Sequence, residues 1–177
     1  MPAVALAEHL FDLPDETATQ TLAARFARAF LLASPAAAGL QVHLNGELGA
    51  GKTAFVRATL RALGHDGRVR SPTYTLVEPY WITRTDAAAL SLPEPSELLI
   101  HHFDLYRFSD AAEWHEAGFD EYLASQAINL IEWPSLAADA LGTPDLSLTI
   151  DIVGDGRLLT ARAFTPRGLH CLHDVCR

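Results

Sequence analysis

An α/β fold built on one mixed, mostly parallel sheet is predicted for this 177-residue sequence, and three patterns carry the expectation. An alternating apolar stretch, Leu40 to Asn45, runs directly into a glycine-rich loop and then an amphipathic helical face. Two apolar runs, Leu98 to Asp104 and Ala127 to Glu132, each end in a carboxylate and have the continuous hydrophobicity of strands covered on both faces. Near the C-terminus, Leu146 to Val153 and Arg157 to Phe164 flank Gly154-Asp155-Gly156, which predicts an antiparallel hairpin.

The elements follow in chain order. Met1 to Leu13 is mildly apolar, but it lacks a basic start and is broken by Glu8 and His9, so it does not have the form of a signal peptide. Thr17-Ala18-Thr19-Gln20 reads as a capping box, and Leu22, Phe26, Phe30 and Ala33 follow at helical spacing; Ser34-Pro35 ends that helix. After the strand and the glycine loop, Phe55, Val56, Thr59, Leu60 and Leu63 form one helical face, and Gly64 stops it. Thr73 to Trp81, rich in Thr, Tyr and Val behind the turn Ser71-Pro72, predicts a strand. Thr83 to Glu97 has no sustained period and reads as a surface insertion. Between the two carboxylate-ended strands, Ser109-Asp110 can cap a helix through His115, Gly118 can end it, and Asp120 can begin another.

A chain of this length buries roughly 70% of the surface that its unfolded form exposes, so one domain over residues 1–177 is expected, with 83–97 as insertion and 165–177 as a tail. The tail holds Cys171 and Cys176 beside His170 and His173. Ligand pairs at a zinc site usually sit on separate segments, whereas these crowd one terminal stretch, so a reduced and structurally incidental tail is expected. The net charge of -9, with no basic stripe to interrupt it, argues against direct nucleic-acid binding. No apolar run approaches the ~18 residues of a membrane span, and a cytoplasmic location is expected.

Lys52 is the only lysine among thirteen Lys plus Arg, and it lies in Gly46-Glu47-Leu48-Gly49-Ala50-Gly51-Lys52-Thr53, a complete G-x-x-x-x-G-K-[ST] loop. The glycines let backbone amides turn toward one concavity, the following helix adds its positive end, and a compact ammonium can reach between β- and γ-phosphates. Thr53 would offer its hydroxyl to Mg2+. The strand, loop, helix order is the context that a phosphate-binding reading requires, and it extends the prediction to a P-loop NTPase-like three-layer fold holding a nucleotide and Mg2+. Asp104 ends its strand as the carboxylate directed to the magnesium side of the phosphates. Glu132, followed by Trp133-Pro134, could coordinate Mg2+ or orient the attacking water. His101 and His102 point to opposite faces of any strand and are read as packing residues, as is Trp133, although its position could gate the site. Ser71 to Thr75 supplies hydroxyls that could reach a γ-phosphate as a switch.

With these residues in order, the chain resembles the TsaE (YjeE) family of small bacterial P-loop ATPases required to make threonylcarbamoyladenosine in tRNA. The resemblance rests on Leu13-Pro14-Asp15-Glu16, the loop Gly46 to Thr53, Leu63-Gly64-His65, the block Ser71-Pro72-Thr73-Tyr74-Thr75-Leu76-Val77-Glu78-Pro79-Tyr80, His102-Phe103-Asp104-Leu105-Tyr106-Arg107, and Glu132-Trp133-Pro134. It implies that Thr53 and Glu132 hold magnesium and that Asp104 is a catalytic carboxylate beside Lys52. It further implies that Ser71 to Thr75, Thr73 included, form the switch, and that Glu16 lies near the nucleotide with Glu47, Leu48, Gly49, Ala50 and Gly51. As partners it implies the TsaD and TsaB proteins, which carry out the transfer while the TsaE member hydrolyses ATP. Glu47 stands where Asp is more usual, and the 83–97 segment is longer than expected. One rival is a small-molecule P-loop kinase, for whose arginine-bearing lid Arg84 and Arg107 are the available residues. A second is a nucleotide-gated binding module with negligible turnover. A guanine-specific switch is disfavoured because no Asn-Lys-x-Asp segment is present.

Overall fold

The structure is a computed structural model that describes residues 3–33, 39–83, 97–109 and 111–177. Its strands are β1 (Ala7–Leu13), β2 (Leu40–Asn45), β3 (Val77–Thr83), β4 (Glu97–Asp104), β5 (Ile128–Glu132), β6 (Leu146–Val153) and β7 (Gly156–Ala163). They form one sheet in the order β1-β7-β6-β2-β5-β4-β3. The inner four, β6, β2, β5 and β4, run parallel. The antiparallel additions are β3 against β4 at one edge, and the hairpin partner β7 followed by β1 at the other. The mixed sheet and the C-terminal hairpin are therefore as expected.

Helices cover both faces. On one lie α1 (Glu16–Ala33), α2 (Lys52–Ala62) and α6 (Pro166–Cys176), whose Phe26, Phe30, Phe55, Val56, Leu60, Cys171 and Leu172 pack with Leu40, Val42, Leu44, Ile100, Ile128 and Leu130 of the sheet. On the other lie α3 (Ala111–Glu116), α4 (Phe119–Ala124) and α5 (Ala138–Leu141), where Trp114, Phe119 and Leu141 pack with Phe103, Leu105 and Ile131. Alternation along each strand divides the residues: Ile100 faces α1 and α2, and Phe103 faces α3 and α4. Phe26 and Phe55 are fully buried with rings 5.8 Å apart, so truncating either to alanine would cost about 3–5 kcal/mol.

Several expectations are corrected. Helix α1 begins at Glu16 rather than at a box on Thr17, because the Asp15 carboxylate already accepts from the Ala18 amide at 2.8 Å, a cap worth about 1 kcal/mol. The segment before it, to which the sequence reading assigned no element, is β1, paired along its whole length with β7. Strand β3 starts at Val77, four residues later than expected, because Thr73 to Leu76 forms a turn in which the Leu76 amide bonds Pro72 O at 2.6 Å and Leu76 takes φ 64°. The tail is not incidental. Thr165 caps α6 through a 3.1 Å bond from the Gly168 amide, Pro166 occupies the first turn, and Cys171, Leu172 and Val175 are buried in the α1 core. Burial pushes the Cys171 thiol pKa up, while Cys176 is exposed. The stop at Ser34-Pro35, the Asp110 cap, Arg84 and nearly all of the 83–97 insertion lie outside the described residues, although Thr83 and Glu97, which bound the insertion, are register partners.

Candidate functional site

The carboxyl ends of β2, β5 and β4 fall at one edge of the sheet, and everything with chemistry on it collects there. The β2 strand ends in the Gly46 to Thr53 loop. A side chain at Gly46 would meet Ile150 O of β6 at 2.4 Å, and Gly51, which caps α2, has φ 108°, so the sequence can make this turn only with glycine at both positions. A Cβ built on Gly49 or Gly51 meets nothing within 4 Å, so the loop backbone borders open space where α2 begins. That concavity at the positive end of a helix of eleven residues suits an anion of phosphate size. Arg157, on β7, pins the loop from behind: its Nε donates to Ala50 O at 3.0 Å and its guanidinium reaches Gly49 O at 3.5 Å.

Lys52 is only 5% exposed. Its Nζ donates to the loop's own carbonyls, Gly46 O at 2.7 Å and Glu47 O at 2.9 Å, and lies 3.8 Å from the centre of the Trp133 ring. Burial draws its pKa down, and the charges of Glu132 and Asp104 act in the opposite direction. Trp133 is held in place by a left-handed backbone, φ 58° and ψ 45°, between Glu132 and Pro134, and its ring also packs on Tyr106 at 5.0 Å. It is thus part of the cleft wall, the place from which the sequence allowed it to gate the site, and not packing alone.

Asp104 and Glu132 are register partners on adjacent parallel strands and face the α2 side of the sheet. Glu132 is 2% exposed; its Oε1 accepts from Thr53 Oγ1 at 2.8 Å and its Oε2 from the same hydroxyl at 3.1 Å. Asp104 Oδ2 accepts from Thr73 Oγ1 at 2.8 Å and from Ser71 Oγ, and its Oδ1 from the Tyr106 amide at 3.1 Å. Leu48, Gly49, Gly51, Lys52, Thr53, Thr73, Asp104 and Glu132 accordingly border one cleft of about 290 Å³. Glu47 contributes its carbonyl to the Lys52 ammonium rather than its carboxylate to that cleft. Glu16 and Ala50 border an adjoining depression with Gly49, Gly51 and Arg157.

Three features escaped the sequence. His102 is fully buried and its Nε2 meets Glu132 Oε1 at 2.8 Å, so it is a polar partner of the site and not packing alone. His101, on the opposite face, pairs its Nδ1 with Asn129 Oδ1 at 2.8 Å and packs on Tyr122. The His102 contact had a legible signal, because residues 102 and 104 share a strand face. Arg157 had none, since its partners lie more than a hundred residues away.

The donor set fits magnesium with a triphosphate: a threonine hydroxyl and a buried carboxylate already in contact form an all-oxygen site for a hard cation, next to a lone ammonium and a helix N-terminus.

Known proteins resemble this chain over most of its length. The family model described as threonylcarbamoyl adenosine biosynthesis protein TsaE matches residues 13–161. The tRNA threonylcarbamoyladenosine biosynthesis protein TsaE of Haemophilus influenzae is 37% identical over 156 residues, covering 88% of this chain and 90% of that protein. The protein of the same name from Bacillus subtilis is 34% identical over 125 residues, 71% of this chain and 70% of its own length. The crystal structure of Bacillus subtilis YdiB superposes with a TM-score of 0.72 at 25% identity, covering 97% of this chain and 95% of that one.

Proposed function

The chain belongs to the TsaE family of tRNA threonylcarbamoyladenosine biosynthesis proteins, and from that premise we propose that it is the Mg2+-dependent ATPase of that machinery, acting on the TsaD and TsaB pair without being the transferase. The observation that carries the proposal is the contact between Thr53 and Glu132 at the start of α2, with Lys52 and Asp104 in the same cleft.

In this reading the backbone of Glu47 to Gly51 wraps the phosphates. Lys52 exchanges its bonds to Gly46 O and Glu47 O for phosphate oxygens, a rotation that its flexible stem permits while the ammonium stays near Trp133. Thr53 and Glu132 hold the metal. Bound there, Mg2+ would neutralise charge on the β- and γ-oxygens. Asp104 is the second carboxylate toward the metal and the attacking water, and Ser71 and Thr73, now bonded to it, are the hydroxyls that would turn to a γ-phosphate and return on its loss. Glu16, in the adjoining depression, is assigned to the nucleoside side of the ligand.

The test is ATP turnover by the purified chain, alone and mixed with TsaD and TsaB, with Lys52→Ala as control. Turnover that rises with the pair and is lost in the variant is expected. A phosphorylated product appearing only with a small acceptor would replace this reading with the kinase. Slow hydrolysis indifferent to both proteins would replace it with the binding module.

A further inference from the structure

We propose that His102 is a positioning residue that fixes the Glu132 carboxylate for the metal, a role that rests on the assignment of Glu132 to magnesium above. The imidazole lies wholly inside the protein on β4, two residues before Asp104 and on the same face. Its Nε2 stands 2.8 Å from Glu132 Oε1, and its Nδ1 is buried with no hydrogen-bond partner among the described residues.

Those two facts favour the tautomer with the hydrogen on Nε2. With the hydrogen on Nε2, the ring donates to the carboxylate and Nδ1 is a bare lone pair, which is tolerable in an apolar setting. With the hydrogen on Nδ1, an N–H would be buried without an acceptor, and an imidazole lone pair would face a carboxylate oxygen. The ring therefore acts as a single donor of fixed direction.

The consequence falls on Glu132. A glutamate at a strand end has three rotatable bonds, and Thr53 alone does not hold it, because that hydroxyl contacts both of its oxygens at 2.8 and 3.1 Å and has to serve the metal as well. His102 holds Oε1 from inside the sheet and leaves Oε2 with the Thr53 hydroxyl alone among the described residues. Holding a metal-binding carboxylate by one oxygen from the protein side is the work of an outer-shell partner, which orients the ligand without touching the metal.

The experiment compares His102→Phe, His102→Gln and His102→Asn with the parent chain. It reads the Mg2+ concentration that half-saturates binding of a fluorescent ADP analogue, and separately the affinity for that analogue in EDTA. Glutamine places its amide nitrogen near the position of Nε2, whereas asparagine falls short. The expected result is a half-saturating Mg2+ concentration raised roughly 10- to 100-fold in His102→Phe and His102→Asn, largely restored in His102→Gln, with the metal-free affinity unchanged in all three. An unshifted metal requirement in His102→Asn, or equal shifts in the Gln and Asn variants, would overturn the positioning role. If His102→Phe does not fold, the Gln and Asn pair still decides the matter. A parent chain whose nucleotide binding ignores Mg2+ would instead refute the metal assignment of Glu132, and this role with it.

Discussion

Glu132 and Asp104 are the same functional group at the ends of neighbouring strands, one register step of the sheet apart, yet their surroundings give them different work. Glu132 meets a threonine hydroxyl from the start of α2 and a histidine from within the sheet, while Asp104 is bonded by the hydroxyls of the Ser71–Thr73 turn. In the proposed roles the first holds the metal that turnover needs, and the second faces the attacking water and links the turn to the phosphates. Lys52→Ala and Thr53→Ala are therefore expected to abolish binding of magnesium nucleotide, whereas Glu132→Ala keeps more binding than hydrolysis. Calorimetric titration set beside phosphate release checks this, and equal loss in all three variants would contradict the division of roles. His43, away from the site on β2, makes a different prediction. Burial lowers its pKa from 6.5 to about 4, so the unfolded chain takes up a proton that the folded chain refuses. Stability from this residue is fully present above pH 6.5 and is lost as the pH falls toward 4, by on the order of 2 kcal/mol between pH 7 and 5. Urea unfolding of His43→Leu should show a shallower acid loss than the parent, and identical slopes would remove His43 as the cause.

At the scale of elements, the least expected piece is α6. Gly168 sits in its first turn so close to the chain before β6 that an added Cβ would lie 2.0 Å from Asp145 O. That carbonyl has little room to retreat, because the Asp145 carboxylate is bonded by the Gln41 amide at 2.9 Å and by Thr165 Oγ1 at 2.5 Å. In an open helix, glycine to alanine would gain up to about 1 kcal/mol from propensity, but overpacking of this kind costs about 1–3 kcal/mol and decides the sign. Gly168→Ala should accordingly lower the melting temperature by several degrees, as scanning calorimetry would show; an increase would mean that α6 is more loosely docked than described. The sequence offered Thr165, Pro166 and the apolar spacing of Cys171, Leu172 and Val175, but crowded His and Cys residues obscured an ordinary cap and helix. Strand β1 was equally hard to see. It is an edge strand with most of its residues half-buried or exposed, so it carries little of the apolar alternation by which strands are read. Conversely β2, β5 and β6 were plain, because burial on both faces or pairing across a two-residue turn writes itself into local composition.

Over the whole molecule, charge and topology act together. A net charge of -9 repels a phosphate backbone, and the one lysine is turned into the cleft. The isolated chain should consequently retain no tRNA in a filter-binding assay at 50–200 mM salt (a range over which phosphate-driven binding falls by about 10³–10⁵), even where TsaD and TsaB do; retention at the lower end would reopen direct contact. The sheet itself was legible because each parallel strand is a short apolar run, and the phosphate loop was legible because its chemistry is contiguous in the chain. By itself the sequence determined the glycine-rich loop, the two strand-end carboxylates and the mixed α/β class, all of which are set by local residue type and spacing. Only the tertiary structure decided that Thr53 meets Glu132 across 79 positions, that His102 backs that carboxylate, and that Arg157 secures the loop from the opposite end of the chain. Those contacts depend on strand order and on which face each side chain takes, and no local pattern encodes the neighbour that folding brings alongside.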